Sequence, residues 1–214
     1  MRVNIIFLDY QRHDFTQRVK DKNFNNAGYP FDHVVIDLHG VSAALNKGIQ
    51  FSKGYDAIVT MANDILMPDN WLNVMVTAAK IIPNTGMCGI HTVESPGKLD
   101  NINGINIRPV PVAFGNVLIP MSAVQRVGYF NPDFDPYGMQ DRDYGYRLVM
   151  TGHVNYYLEG FNAEHIGHDV GNGTEYRKMK DEGLQRCGAI WEAATKRYNE
   201  TGDYTINLDD WGEL

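Results

Sequence analysis

Three short apolar segments, at 3–8, 33–36 and 57–61, alternate with two stretches of helical periodicity at 14–27 and 42–52. Val3-Asn4-Ile5-Ile6-Phe7-Leu8, His33-Val34-Val35-Ile36 and Ala57-Ile58-Val59-Thr60-Met61 are rich in β-branched residues and too short for helices, so they read as buried strands. In the second helical stretch Ala44, Leu45 and Ile49 share one face, and Gly54 closes it. Strand–helix–strand alternation demands a parallel sheet with right-handed crossovers. Ligands of such sheets bind beyond the carboxyl ends of the strands. Asp9, Asp37 and the pair Asn63-Asp64 stand at those ends, although turn chemistry also favours Asp and Asn there.

The pattern continues without a repeat or a linker. Pro68-Asp69-Asn70 starts a helix whose apolar face is Trp71, Leu72, Met75, Ala78, Ala79 and Ile82, and a fourth strand follows at 86–92. Residues 94–108 are polar and rich in Gly and Asn, which suits a loop or irregular hairpin. Residues 110–120 read as a strand broken at Pro111 and Gly115. Then come a short helix at 122–127, a turn-rich piece at 131–139, a helix at 141–151, a strand at 153–158 and a long helix at about 175–200.

Composition excludes several classes. A chain of 214 residues builds a core without disulfides. No apolar run approaches the roughly 18–20 residues of a membrane-spanning helix, and no secretory leader is recognisable. Cys88 and Cys187 lie far apart and read as free thiols of a reducing compartment, so the expected location is cytoplasmic. With 26 acidic against 19 basic residues the net charge is -7, which disfavours duplex nucleic acid and anionic membranes as partners. A small anionic ligand then needs a metal or a local basic patch.

Three local patterns carry chemistry. In Ala62-Asn63-Asp64-Ile65, a carboxylate at a strand end suits a hard divalent cation that also holds phosphate oxygens. In Gln140-Asp141-Arg142-Asp143, two carboxylates open a helix. They serve the helix dipole, or one is a general base on a rigid support. Arg142 and Arg147 pair with these acids or with a substrate anion. In Glu164-His165-Ile166-Gly167-His168-Asp169, one imidazole is a candidate to complete a metal site begun by Asp64, unless both are ordinary surface or core histidines; the lack of nearby Cys argues against structural zinc. No G-x-G-x-x-G follows the first strand, which disfavours a Rossmann dehydrogenase. Asp9-Tyr10-Gln11-Arg12-His13-Asp14 has no Gly, which disfavours a sugar-1-phosphate nucleotidyltransferase.

In order and spacing these residues resemble the family 2 glycosyltransferases of the GT-A fold, over about 3–168. Asp9-Tyr10-Gln11-Arg12 looks like the first strand end and nucleotide loop, and Val34-Val35-Ile36-Asp37 like the second strand with its base-contacting acid. Ala43-Ala44-Leu45-Asn46-Lys47-Gly48-Ile49 is similar to the ARNxGI helix. Asn63-Asp64 sits where the family has its Asp-x-Asp-type metal motif, and Val127-Gly128-Tyr129-Phe130 with Phe134 resembles the acceptor-side stretch. Gln140-Asp141-Arg142-Asp143-Tyr144-Gly145-Tyr146-Arg147 sits where the family has EDxDlxxR. The chain departs from the pattern twice, lacking the first Asp of the metal motif and carrying Gln140 in place of Glu.

The resemblance implies an α/β fold, GT-A-like, with a Rossmann-related, mostly parallel sheet flanked by helices. It implies a catalytic domain at 1–170, with a nucleotide-binding half at about 1–92 and an acceptor-binding half at about 93–170. A C-terminal helix and tail occupy 171–214. It implies an inverting transferase that moves a sugar from a nucleotide diphosphate sugar, a UDP-sugar first among them, to an acceptor hydroxyl. Asp141 would be the base, and Asp9, Tyr10, Asp37, Asn46 and Asn63 would bind nucleotide. Asp64 with His165 or His168 would hold Mn or Mg. Gln140, Asp143 and Arg147 would contact the acceptor or support the site. The acceptor stays open among a glycan, a lipid-linked sugar, a protein and a nucleobase. Its expected surfaces are the 94–108 loop and the helix bearing Arg177, Lys178, Lys180 and Arg186, unless these are a solvated loop and an ordinary surface helix. Asn63 and Gln140 keep a second reading alive, a non-catalytic nucleotide- or sugar-binding module of the same fold.

Overall fold

The computed structural model describes residues 1–9, 13–92, 97–167 and 175–208. The first half runs β1 (Val3–Leu8), α1 (His13–Asn25), β2 (Asp32–Ile36), α2 (Val41–Phe51), β3 (Ala57–Met61), β4 (Ile65–Leu66), α3 (Trp71–Ile81) and β5 (Thr85–His91). The second runs β6 (Asp100–Ile102), β7 (Ile105–Pro109), β8 (Val117–Pro120), α4 (Met121–Val127), a 3-10 turn (Pro132–Phe134), α5 (Gln140–Met150), β9 (Val154–Asn162), β10 (Glu164–His165) and α6 (Glu175–Thr201).

Among the described residues, eight strands form one mixed sheet in the order β2-β1-β3-β8-β5-β9-β7-β6. β1 pairs in parallel with both β2 and β3, and β5 with β9. β8 runs antiparallel between β3 and β5, and β7 antiparallel between β9 and β6. Six strands therefore share one direction.

Period-2 alternation sends side chains of the first strands to two cores. Ile5, Phe7, Val59 and Met61 join Trp71, Leu72 and Met75 of α3 on one face. Ile6 and Ile58 join Leu45 and Ile49 of α2 and Tyr144 and Leu148 of α5 on the other. Burial on both faces explains why these strands read as continuous apolar runs.

Two expectations change. Of the 110–120 segment only Val117–Pro120 joins the ladder. Ahead of it, Pro111 has no N–H to give, its carbonyl accepts from Asn155 Nδ2, and Gly115 takes φ 85°. The described part of the 94–108 segment is a regular hairpin added at the sheet edge. Ile102 pairs with Ile105 across Asn103-Gly104, whose φ values of 52° and 87° are those of the two-residue turn that Asn-Gly favours. That dipeptide was the missed signal.

Candidate functional site

Parallel pairing puts the carboxyl ends of β1, β2 and β3 on one edge of the sheet, with Leu8 opposite Ile36 and Phe7 opposite Met61. A cavity of about 320 Å³ opens there, and its wall includes Leu8, Ile36 and Met61. Asn63 and Asp64, from the turn after β3, also face it.

The two-residue strand β4 holds Asp64 against the far end of the chain. β4 pairs antiparallel with β10, His165 opposite Ile65, and the Ile166 amide donates to the Asp64 carbonyl at 2.9 Å. His165 Nε2 then lies 3.2 Å from Asp64 Oδ2. Gly167 packs so closely on the carboxylate that a Cβ there would stand 2.4 Å from Oδ2. The absence of a side chain at Gly167 is what makes room for Asp64.

Among the described residues no group of three or more His, Cys, Asp or Glu side chains is arranged to hold a metal. The pair nevertheless fits one corner of a divalent site. Its 3.2 Å separation is near the ~3 Å between neighbouring ligands of an octahedral ion with bonds of ~2.1 Å. Such ions take few protein ligands and complete their shell with water and substrate phosphate. His168, the other imidazole considered, lies outside the described residues, as does Tyr10.

Asp9, at the end of β1, accepts from His13 Nδ1 at 3.0 Å, from the Thr16 hydroxyl and, weakly, from Asn63 Nδ2 at 3.5 Å. Asn63 Nδ2 also reaches Thr16 Oγ1 at 3.2 Å. Thus the first and third strand ends are knit together. Asp37 is exposed, between the wall residues Ile36 and Leu38.

Asp141, in the first turn of α5, also lines the cavity. Apart from its face to the cavity, the carboxyl is packed in protein, and desolvation pushes its pKa up to about 6. The positive end of the helix dipole favours the anion, but burial outweighs it. Such a carboxyl is poised near neutrality to accept a proton.

Asn46, assigned by resemblance to the nucleotide, and Gln140, Asp143 and Arg147, assigned to the acceptor or to support, all make contacts inside the protein. Asn46 is fully buried, and its amide spans Phe130, donating to its carbonyl and accepting from its N–H, each at 2.8 Å. Gln140 is buried and folds its own loop, accepting from Gly138 N and donating to the Phe134 carbonyl. Asp143 and Arg147 form a fully buried ion pair at 2.8 Å. Arg147 also donates to the carbonyls of Val127 and Tyr129, and Tyr198 of α6 donates to the second Asp143 oxygen. Helical i,i+4 spacing turned the pair toward each other rather than toward the cavity.

Sequence reading gave no site role to His39, Phe114 or Tyr137, yet all three line the cavity. Phe114 is 55% exposed on the wall, with its N–H donated to Tyr157 Oη at 2.6 Å. An aromatic ring directly before the strand-breaking Gly115 was the available clue.

The family described as Glycosyl transferase family 2 matches residues 2–155. No curated protein matches the chain in sequence. Solved structures do match in fold. GalNAc-T7, crystallised with UDP, GalNAc and Mn2+, superposes with a TM-score of 0.62 at 10% identity, over 77% of this chain and 44% of that one. A mutant Drosophila beta1,4-galactosyltransferase 7, in complex with manganese, UDP-Gal and xylobiose, gives 0.58 at 12% identity, over 85% of this chain and 75% of that one. S. aureus TarS gives 0.57 at 10% identity, over 76% and 36%. The chain thus spans less than half the length of GalNAc-T7 and of TarS. Sheet order, strand-edge cavity and the match over residues 2–155 agree: the fold is GT-A-like, and the chain belongs to glycosyl transferase family 2.

Proposed function

We propose that the protein is a metal-dependent, inverting glycosyltransferase that moves a sugar from a nucleoside diphosphate sugar to an acceptor hydroxyl. The observation that carries this reading is that the Asp64–His165 pair and Asp141 line one cavity at the carboxyl edge of the sheet. Neighbours of the same fold were crystallised with UDP and Mn2+, and with UDP-Gal and manganese, which supports a UDP-sugar donor and Mn or Mg as the ion.

Asp64 and His165 would hold the divalent ion. Bound there, it supplies Lewis-acid charge against the leaving diphosphate. Asp9 and Asn63, fixed to each other through Thr16, offer polar atoms to the nucleoside at the end of β1. Asp141 takes the proton from the acceptor hydroxyl as it attacks the anomeric carbon. The acidic residues among the described wall residues are Asp64 and Asp141, and Asp64 is engaged by His165. No further carboxylate is offered there as a covalent nucleophile, which supports a single in-line displacement with inversion. Phe114 presents an apolar ring to the cavity, and sugar rings have apolar faces that stack on such rings.

A screen of nucleotide sugars with Mn2+, reading released nucleoside diphosphate, identifies the donor. NMR of the first product then reads the stereochemistry. A product with the donor's own anomeric configuration overturns the mechanism, and UDP binding with neither hydrolysis nor transfer leaves only a binding module.

A further inference from the structure

The nucleotide diphosphate poses an electrostatic difficulty in this chain. The protein carries a net charge of -7, and both Asp64 and Asp141 face the cavity. Among the described wall residues, the only Lys or Arg is Lys180. It comes from α6, beyond the residues 2–155 that the family match covers.

The placement of Lys180 is built in rather than incidental. One to two turns further along, α6 is locked onto the 3-10 turn and the loop that leads from it to α5. Arg186 donates to the carbonyls of Asp133 and Asp135. Cys187 Sγ contacts the carbonyls of Phe134 and Tyr137 at 3.9 and 3.8 Å. Gly183 lies so near the Tyr137 carbonyl that a Cβ would stand 2.2 Å from its oxygen, and Gly138 meets Cys187 with equal closeness. These contacts fix the helix where Met179 and Lys180 reach the cavity wall.

Its ammonium also lies over an aromatic ring of the wall. The Nζ lies 4.9 Å from the centre of the Tyr137 ring, another wall residue. A ring face steadies a cation without neutralising it.

We infer that Lys180 binds the diphosphate of the donor, so that α6 completes a site whose other parts lie in the family-matched region. The inference rests on the donor-site reading above. A lysine serves this purpose as a compact point charge against phosphate oxygens.

The test is calorimetric titration of UDP and of uridine, with Mg2+ present, into the full chain and its Lys180→Met and Lys180→Arg variants. The methionine keeps the aliphatic stem, and thermal melts confirm folding. The expected result is a UDP affinity lowered roughly tenfold or more in Lys180→Met, uridine affinity unchanged, and partial recovery in Lys180→Arg. Unchanged UDP affinity in Lys180→Met, while the wild type binds UDP, overturns this inference and leaves the donor site standing. Equal losses for UDP and uridine overturn it as well, because they assign the residue to packing or to the base. If the wild type itself binds no UDP, the donor-site reading falls, and the role of Lys180 with it.

Discussion

At the scale of single residues, the site depends on one missing side chain and one uncomfortable one. Gly167 leaves the space in which the Asp64 carboxylate sits, so Gly167→Ala drives a methyl group into it. Asp64 must move, and its approach to His165 is lost. The expected outcome is a loss of Mg2+- or Mn2+-dependent UDP binding of roughly tenfold or more, in calorimetry with and without the ion. Unchanged metal dependence removes the pair from the metal role. Asp141 is buried enough to ionise only near pH 6. As the base, it must be charged, so turnover falls as pH drops through about 6. Asp141→Asn lowers turnover by on the order of a hundredfold or more and leaves UDP affinity nearly unchanged. Stability follows the opposite direction. A carboxyl raised from 3.8 to about 6 binds its proton more tightly in the folded state. Its stabilising contribution is complete below the unfolded pKa and is lost as pH rises from about 4 to about 6. Asp141→Asn therefore melts higher than the wild type at pH 7.5, and the gap closes near pH 4. An equal gap at both pH values assigns the effect to packing instead.

At the scale of elements, several side chains that resemble ligands are joints. Asp135, in the loop before α5, accepts from the Ser42 and Ala43 amides at 2.7 and 2.9 Å and caps α2 from a distance in sequence. α2 has no cap of its own, because Gly40 precedes it. Asp135→Ala is expected to cost about 1–2 kcal/mol in urea unfolding and to loosen the loop that carries Tyr137. Asp143 and Arg147 join α5 to α6 and to the end of α4 with the chain that follows it, through Tyr198 and the carbonyls of Val127 and Tyr129. Removing one partner leaves a buried charge, so Arg147→Ala should destabilise by about 3–5 kcal/mol. Tyr198→Phe, which loses one bond to a charged oxygen, should cost about 1.5–3 kcal/mol. A surface-like loss below about 1 kcal/mol for Arg147→Ala contradicts this role. The limits of sequence reading show here. β-branched runs revealed β1 and β3 because both faces of those strands are buried, and β2 by its residue types alone, since it is an edge strand in which only Ile36 is buried. Pattern alone did not distinguish a carboxylate that points at a substrate from one that points at the arginine four residues on. The β4–β10 pair has two residues per strand, too few for any periodicity, yet it alone sets His165 against Asp64.

At the scale of the whole molecule, the question is whether α6 is an appendage or part of the domain. Sequence showed a long helix after a Gly-rich piece and left its packing open. It docks by one narrow face, on which Gly183, Cys187, Ala194 and Tyr198 follow each other at spacings of four, seven and four residues, with no large aliphatic side chain among them. Cys187 and Tyr198 are fully buried, and Ile206, beyond the helix, bridges to Gly128 as a short parallel pairing. The backbone there exchanges two bonds, Tyr129 N to Ile206 O and Ile206 N to Val127 O, both at 3.0 Å. The same region holds the carbonyls that Arg147 needs, including that of Tyr204. Ending the chain at residue 174 keeps all of the family-matched part and removes all of these contacts at once. Burial of Tyr198 and Ile206 alone is worth about 1.5–3 kcal/mol each. Arg147 and Asp143 would in addition become open to solvent on one side. The truncated chain should melt roughly 10 °C lower or lose its cooperative transition, and should bind an apolar dye that the full chain does not. A melting point within about 3 °C of the full chain would make α6 an ornament and Lys180 an accident of it. The buried ion pair at the α5–α6 joint argues against that: a domain complete at residue 155 would have no use for a charge pair sealed by a tyrosine from residue 198.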